Sequence, residues 1–165
     1  MESIELIRGN LRKSRDIVLS KIEAMREHGL VFPTPRGGSH TIWVLGHLAY
    51  IEGLVVTRFA MGEDHPRPEW KEIFDGGEVP ADPTAFPGFD ETLAVCRAAR
   101  EETIARLDGF SEADLDRPSP GCPAGVEDTF GTWRHCFQFV ADHWYMHRGQ
   151  LADARRAAAI DRMWF

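Results

Sequence analysis

Cysteine is scarce in this chain and unpaired in pattern. Cys96, Cys122 and Cys136 are odd in number, widely spaced and form no C-x-x-C pair, so neither a disulfide framework nor a cysteine zinc site is indicated, and a reducing compartment is expected. An excess of basic residues is missing too. The formal net charge of −7 disfavours the phosphate neutralisation on which sequence-independent nucleic-acid binding depends. No apolar run reaches the roughly 18 residues that a membrane span requires, since Ile42 to Phe59 is interrupted by His47, Glu52 and Arg58. The opening Met1-Glu2-Ser3-Ile4-Glu5 has no basic region followed by an apolar block, so no secretory signal is read there. The expectation is a cytoplasmic protein with no membrane or nucleic-acid partner. Internal repeats, low-complexity tracts and period-two alternation are also lacking, which leaves no sign of a sheet.

What is present fits one globular domain spanning 1–165. With 43% hydrophobic and 27% charged residues, the chain can bury a core without staples. Proline and glycine cluster into three stretches that leave four long segments. In the first, Ile4, Ile7, Leu11, Ser14, Val18 and Met25 follow heptad-like spacing with Ile22 adjoining them, Ser3 is the expected N-cap and Gly29 the stop. The second, about Ser39 to Met61, places Val44, Leu48, Ile51, Val55 and Phe59 on one broad apolar face. A long connection from Glu63 to Gly88 follows, with one short helical turn around Trp70 to Phe74; its length implies a crossover, a lid or a dimer contact. The third helix starts at Asp90 as N-cap and ends at Gly109, and a Ser111-Glu-Ala-Asp-Leu115 turn comes after it. The fourth, about Thr129 to Ala159, repeats Phe137, Trp144, Leu151 and Ala158 every seven residues. The predicted fold class is all-α, a four-helix bundle with a long connection between helices 2 and 3 and roughly 60% helix or more.

His143 and His147 stand four apart on the fourth helix, displaced by about 40° and roughly 6 Å, so one cation can reach both. The run His143-Trp-Tyr-Met-His147 lacks the Glu that serves as base in H-E-x-x-H peptidases. His47 shares a stripe with Val44, Ile51 and Leu54 and so faces inward on the second helix. Any one of the three alone reads more readily as a core histidine paired with a neighbouring group than as a ligand; together they make a candidate triad for a divalent transition metal. Gln150, near the stripe of His143, is a candidate partner for a ligand or a metal-bound water. His135 lies about 80° and 12 Å from His143, outside ligating reach. Arg58, some 16 Å along the helix from His47, is too distant to touch a metal. His28, His40 and His65 fall at helix ends or loops and read as solvated, and nothing near Cys122 is seen to activate its thiol. Gly149 invites a close helix approach, and Arg148 a pairing with an acidic group or an anionic substrate.

The strings Trp43-Val-Leu-Gly-His47-Leu-Ala and His143-x-x-x-His147-Arg148-Gly149-Gln150-Leu151 resemble the two signature regions of DinB-like proteins, a superfamily that includes YfiT-like proteins and thiol-dependent S-transferases. The resemblance runs over nearly the whole chain, with H-R-G-Q as its specific part. It implies a DinB-like four-helix bundle, a metal (zinc or nickel) on His47, His143 and His147, and a homodimer. In characterised relatives such a metal activates low-molecular-weight thiols such as bacillithiol or mycothiol.

Three imidazoles leave coordination positions open, as a catalytic site requires. The function expected is therefore a metal-dependent thiol S-transferase or hydrolase acting on a small molecule, with a non-catalytic metal-binding bundle as the alternative and no catalytic side chain assigned. Haem is disfavoured, because two ligands one turn apart on one helix suit a facial metal better than opposed axial positions. The terminus Arg162-Met163-Trp164-Phe165 carries two large rings that would dock on the bundle or on a second copy.

Overall fold

The structure, a computed structural model, describes residues 2–80 and 82–161; the tail Met163-Trp164-Phe165, from which docking was expected, lies outside the described residues. Helix accounts for 67% of the chain, and no strand occurs among the described residues. The long elements are α1 (Ser3–Glu23), α2 (Thr41–Glu52, continued by a π-helical stretch Gly53–Ala60), α4 (Phe89–Asp108) and α6 (Trp133–Ala157). Two single turns, α3 (Lys71–Phe74) and α5 (Glu127–Phe130), lie in the connections.

Each long helix packs chiefly on two others: α1 on α4 and α6, and α2 on α4 and α6. The pairings across these contacts set the directions. Arg15 with Glu101 and Glu23 with Arg97 make α1 and α4 antiparallel, and Trp43 with His147 and Glu52 with Trp144 do the same for α2 and α6. Between α2 and α4 the order runs the same way, since Glu52 meets Arg100 and Glu63 meets Arg106. Parallel neighbours oblige the chain to travel back along the bundle, about 30 Å for a helix of twenty residues. That is why the connection after Gly62 is long: it is a crossover. On its way it lays α3 against α2.

This cover explains the character of α2. Rather than showing one apolar face, every residue from Thr41 to Tyr50 is buried, as expected of a helix apolar all round. Thr41–Ala60 is long and apolar enough to cross a membrane by length and composition alone, yet 72% of that apolar window is buried inside the protein, as in a core helix. The π-helical stretch was not foreseen either. Met61 N–H reaches back five residues to Val56 O at 3.1 Å, and the extra residue per turn turns Val55, Val56 and Ala60 inward. The loop after Pro118 seats on this segment through Gly121, whose N–H donates to Phe59 O at 3.0 Å; a Cβ there would come 2.0 Å from Arg58 O.

Helix ends differ in detail from the sequence reading. Ser3 is the first helical residue rather than the cap: its hydroxyl donates to Glu112, whose carboxylate also accepts from Ile4 N–H at 2.9 Å. A carboxylate from the turn after α4 therefore caps α1, and these bonds with Arg134 hold its pKa down to about 2. α1 ends at Glu23, and a 3-10 turn Arg26–His28 precedes Gly29. Asp90 sits inside the first turn of α4, capped by Gly88. α6 begins at Trp133, after Gly131 separates it from α5, with the Thr132 hydroxyl accepting from His135 N–H at 3.3 Å.

At the centre Arg100 of α4 binds all three other long helices. Its guanidinium pairs with Glu52 at 2.9 Å, donates to Val140 O at 3.0 Å and to Leu11 O and Ser14 Oγ at 3.4 Å, and lies 4.1 Å from the Trp144 ring centroid. Trp144 Nε1–H donates to the same Glu52 carboxylate at 2.9 Å. Burial pushes the Glu52 carboxyl up, and Arg100 is the chief opposing influence. Removing one partner of such a pair strands a buried charge, at a cost of about 3–5 kcal/mol, whereas removing both costs less. Arg100→Met is therefore expected to lower the urea-unfolding free energy by about that amount, and Glu52→Gln added to it to restore part of the loss. Additive losses in the double variant would mean the two groups do not act as a pair.

Candidate metal centre

The antiparallel packing of α2 and α6 brings His47 opposite the i, i+4 pair His143 and His147. All three are buried, between 6% and 8% exposed. The Nε2 atoms of His143 and His147 are 3.0 Å apart, and one nitrogen from each of the three rings falls within 4.8 Å of the others. Around a tetrahedral ion with metal–nitrogen bonds of about 2.0–2.1 Å, ligand nitrogens stand about 3.3 Å apart. The observed spacing fits one ion after small ring movements, so the cluster can hold a metal.

The second nitrogens of two rings are committed. His47 Nδ1 lies 2.6 Å from the main-chain oxygen of Phe74, which can only accept, so Nδ1 carries the proton and Nε2 presents a bare lone pair. His147 Nδ1–H donates in the same way to Gln150 Oε1 at 2.5 Å, which gives Gln150 the supporting place the sequence suggested. Aromatic rings hold the imidazole planes. Trp43 stacks on His47 at 4.5 Å and 11°, and Phe139 on His143 at 5.5 Å and 16°. Both aromatics precede their histidine by four residues, a spacing legible in the sequence that the reading passed over. The Phe74 carbonyl left no such signal.

Electrostatics keep the imidazoles neutral, as metal ligation requires. Desolvation is the main cause in every case. Together with the repulsion a second proton would meet on His147 or His47, and with the Arg100 charge, it brings His143 down to about 2; with the corresponding repulsion from His47 it brings His147 down to about 4. His47 is lowered by burial against the opposing pull of the Phe74 carbonyl.

The remaining candidates sort cleanly. His135 and His28 are exposed, and Arg58 points outward. His40 is not solvated: it is fully buried, caps α2 by accepting from Trp43 N–H at 3.1 Å, and sits edge-on between Phe32 and Phe86, so its pKa falls to about 4. His65 is half-buried, its ring tilted against that of Tyr50 with Nε2 3.0 Å from Tyr50 O. Desolvation and Glu127 push the Cys122 thiol up, so it is not activated. Gly149 permits no close approach, since a Cβ there would meet nothing within 4 Å. A tight glycine does lie beside His47, at Gly46.

These depressed histidines tie stability to pH once any metal is chelated. Their folded pKa values lie below the ordinary 6.5, so between 6.5 and about 4 the unfolded chain binds more protons and stability rises with pH. The chelator-treated protein should keep a steady urea midpoint above about pH 7 and lose stability progressively as pH falls from 6.5 towards 4.5. A midpoint unchanged across that window would contradict the neutral cluster.

No protein of curated function matches the sequence. The family model of the DinB superfamily matches residues 10–151, most of the chain and every member of the cluster. The chain belongs to the DinB superfamily.

Proposed function

From this membership and the histidine cluster, we propose that the protein is a metal-dependent enzyme that holds one divalent transition metal, zinc or nickel, on His47, His143 and His147, and transfers a low-molecular-weight thiol to a small electrophile. The observation that carries the reading is the donor set: three buried neutral imidazoles with no carboxylate or thiolate joining them among the described residues. Three protein ligands leave room for an exogenous one. A metal bound there lowers the pKa of a coordinated thiol or water.

The chain's own residues supply the rest. Phe74 O and Gln150 Oε1 keep a proton on Nδ1 of His47 and His147, which aims Nε2 of each at the ligand site. The Trp43 and Phe139 rings shield two imidazoles from water. Hydrolysis is the second activity such a site supports, but an attacking water is helped by a nearby base of the kind H-E-x-x-H helices provide. A thiol ionises near pH 8.5 unaided, so a cluster without a carboxylate suits it better. The free cysteines fit a reducing, cytoplasmic setting, and the net charge of −7 fits a small-molecule substrate rather than nucleic acid. A homodimer is the assembly proposed.

Elemental analysis of the purified protein should find about one zinc or nickel per chain. His143→Ala and His147→Ala should lose it, His47→Ala should weaken it, and His135→Ala should retain it. Equal metal content in all four variants would overturn the triad. With metal loaded, thiol consumption against a panel of alkyl halides and epoxides should exceed that of the chelated protein; equal rates would point to the non-catalytic alternative. Light scattering should give twice the chain mass of 18.6 kDa, and the single-chain mass at micromolar concentration would refute the dimer.

A further inference from the structure

The crossover connection bears on the metal centre at one spot. Phe74, the last residue of α3, is fully buried and packs against Trp70 with ring centroids 4.9 Å apart. It fits because residue 46 has no side chain: a Cβ on Gly46 would lie 2.2 Å from Phe74 Cε1 and 2.3 Å from Cζ, closer than any real contact. The final carbonyls of a helix have no partner within it, and those of α3 find theirs on α2. Ile73 O accepts from Trp43 Nε1–H at 3.0 Å, and Phe74 O from His47 Nδ1–H at 2.6 Å. Trp43 is also the ring stacked on His47. One docked turn therefore fixes the orientation, the stacking partner and the tautomer of a single imidazole.

We infer that Phe74, seated against Gly46, is a positioning residue for the metal centre, and that docking of the segment 68–77 and metal binding at His47 are thermodynamically coupled. The inference rests on the metal-binding reading above. An outer partner that orients a ligating imidazole contributes about 10–100-fold to metal affinity. Linkage makes the effect reciprocal: the factor by which docking raises affinity is the factor by which metal raises docking. A segment that merely covers α2 would show no such reciprocity.

Two measurements test this, with zinc as the probe. Zinc affinity, read by competition with a chromophoric chelator, should fall about 10–100-fold in Gly46→Ala and in Phe74→Ala, and less in Phe74→Leu, which refills the notch. Amide hydrogen exchange in the wild type should slow at least several-fold over residues 68–77 when zinc is added, and this response should be lost in His47→Ala, while the amides of α1 and α4 serve as the control for global folding. Unchanged affinity in both Gly46→Ala and Phe74→Ala, or zinc bound by the wild type with no change in exchange over 68–77, would overturn the positioning role and leave the metal site standing. If Gly46→Ala does not fold, Phe74→Ala and the wild-type exchange decide. A wild type that binds no zinc or nickel would overturn the metal reading and this inference with it.

Discussion

The carboxylate of Glu52 sets the register on which the candidate site depends. It accepts from Arg100 on α4 and from Trp144 on α6 while fully enclosed, and an unpaired carboxylate at that depth would be costly enough to forbid other alignments. His47 lies five residues before Glu52 on α2, and His143 immediately precedes Trp144 on α6. A slip of one residue turns a helix by about 100° and would swing either histidine out of reach of the other. The pair that locks the bundle thus also places the candidate ligand nitrogens face to face. Its charge extends to chemistry, since Arg100 is among the groups that keep His143 neutral.

Burial is the second requirement, and the crossover supplies it for α2. Because α2 and α4 run parallel, the chain must return along the bundle, and the return path closes the side of α2 that would otherwise face water. The same covering lowers the proton affinity of His47 by desolvation and donates the carbonyl that fixes its tautomer. Length forced by topology thereby becomes part of the site.

Much of this was legible in the sequence because it rests on periodicity. The four helices follow from apolar residues at helical spacing, and of the seven-residue repeat Phe137, Trp144 and Leu151 are fully buried as expected, whereas Ala158 lies just past the end of α6 and is half-buried. The i, i+4 pair on α6 and the inward stripe of His47 likewise needed only helix geometry, and Gln150 was singled out by its place near the stripe of His143, although the ring it supports is that of His147. What escaped depended on tertiary contacts. Glu52 read as a mere interruption of an apolar run, and Arg100 carried no signal at all, since a buried ion pair is invisible until both helices are placed. His40 looked like a loop residue because a ring acting as helix cap inside an aromatic cage has no local signature. The π-helical stretch after Gly53 and the seating of Phe74 on Gly46 were hidden for the same reason: each answers to a partner far away in the chain.

The central claim is that three imidazoles, prearranged and neutral, make one site. X-ray absorption spectroscopy at the metal edge of the zinc- or nickel-loaded protein tests it most directly. The account predicts three imidazole nitrogens at about 2.0–2.1 Å, with one or two further light atoms completing the shell, and one imidazole fewer in His47→Ala. A first shell with two imidazoles or fewer in the wild type, or one indifferent to His47→Ala, would contradict it.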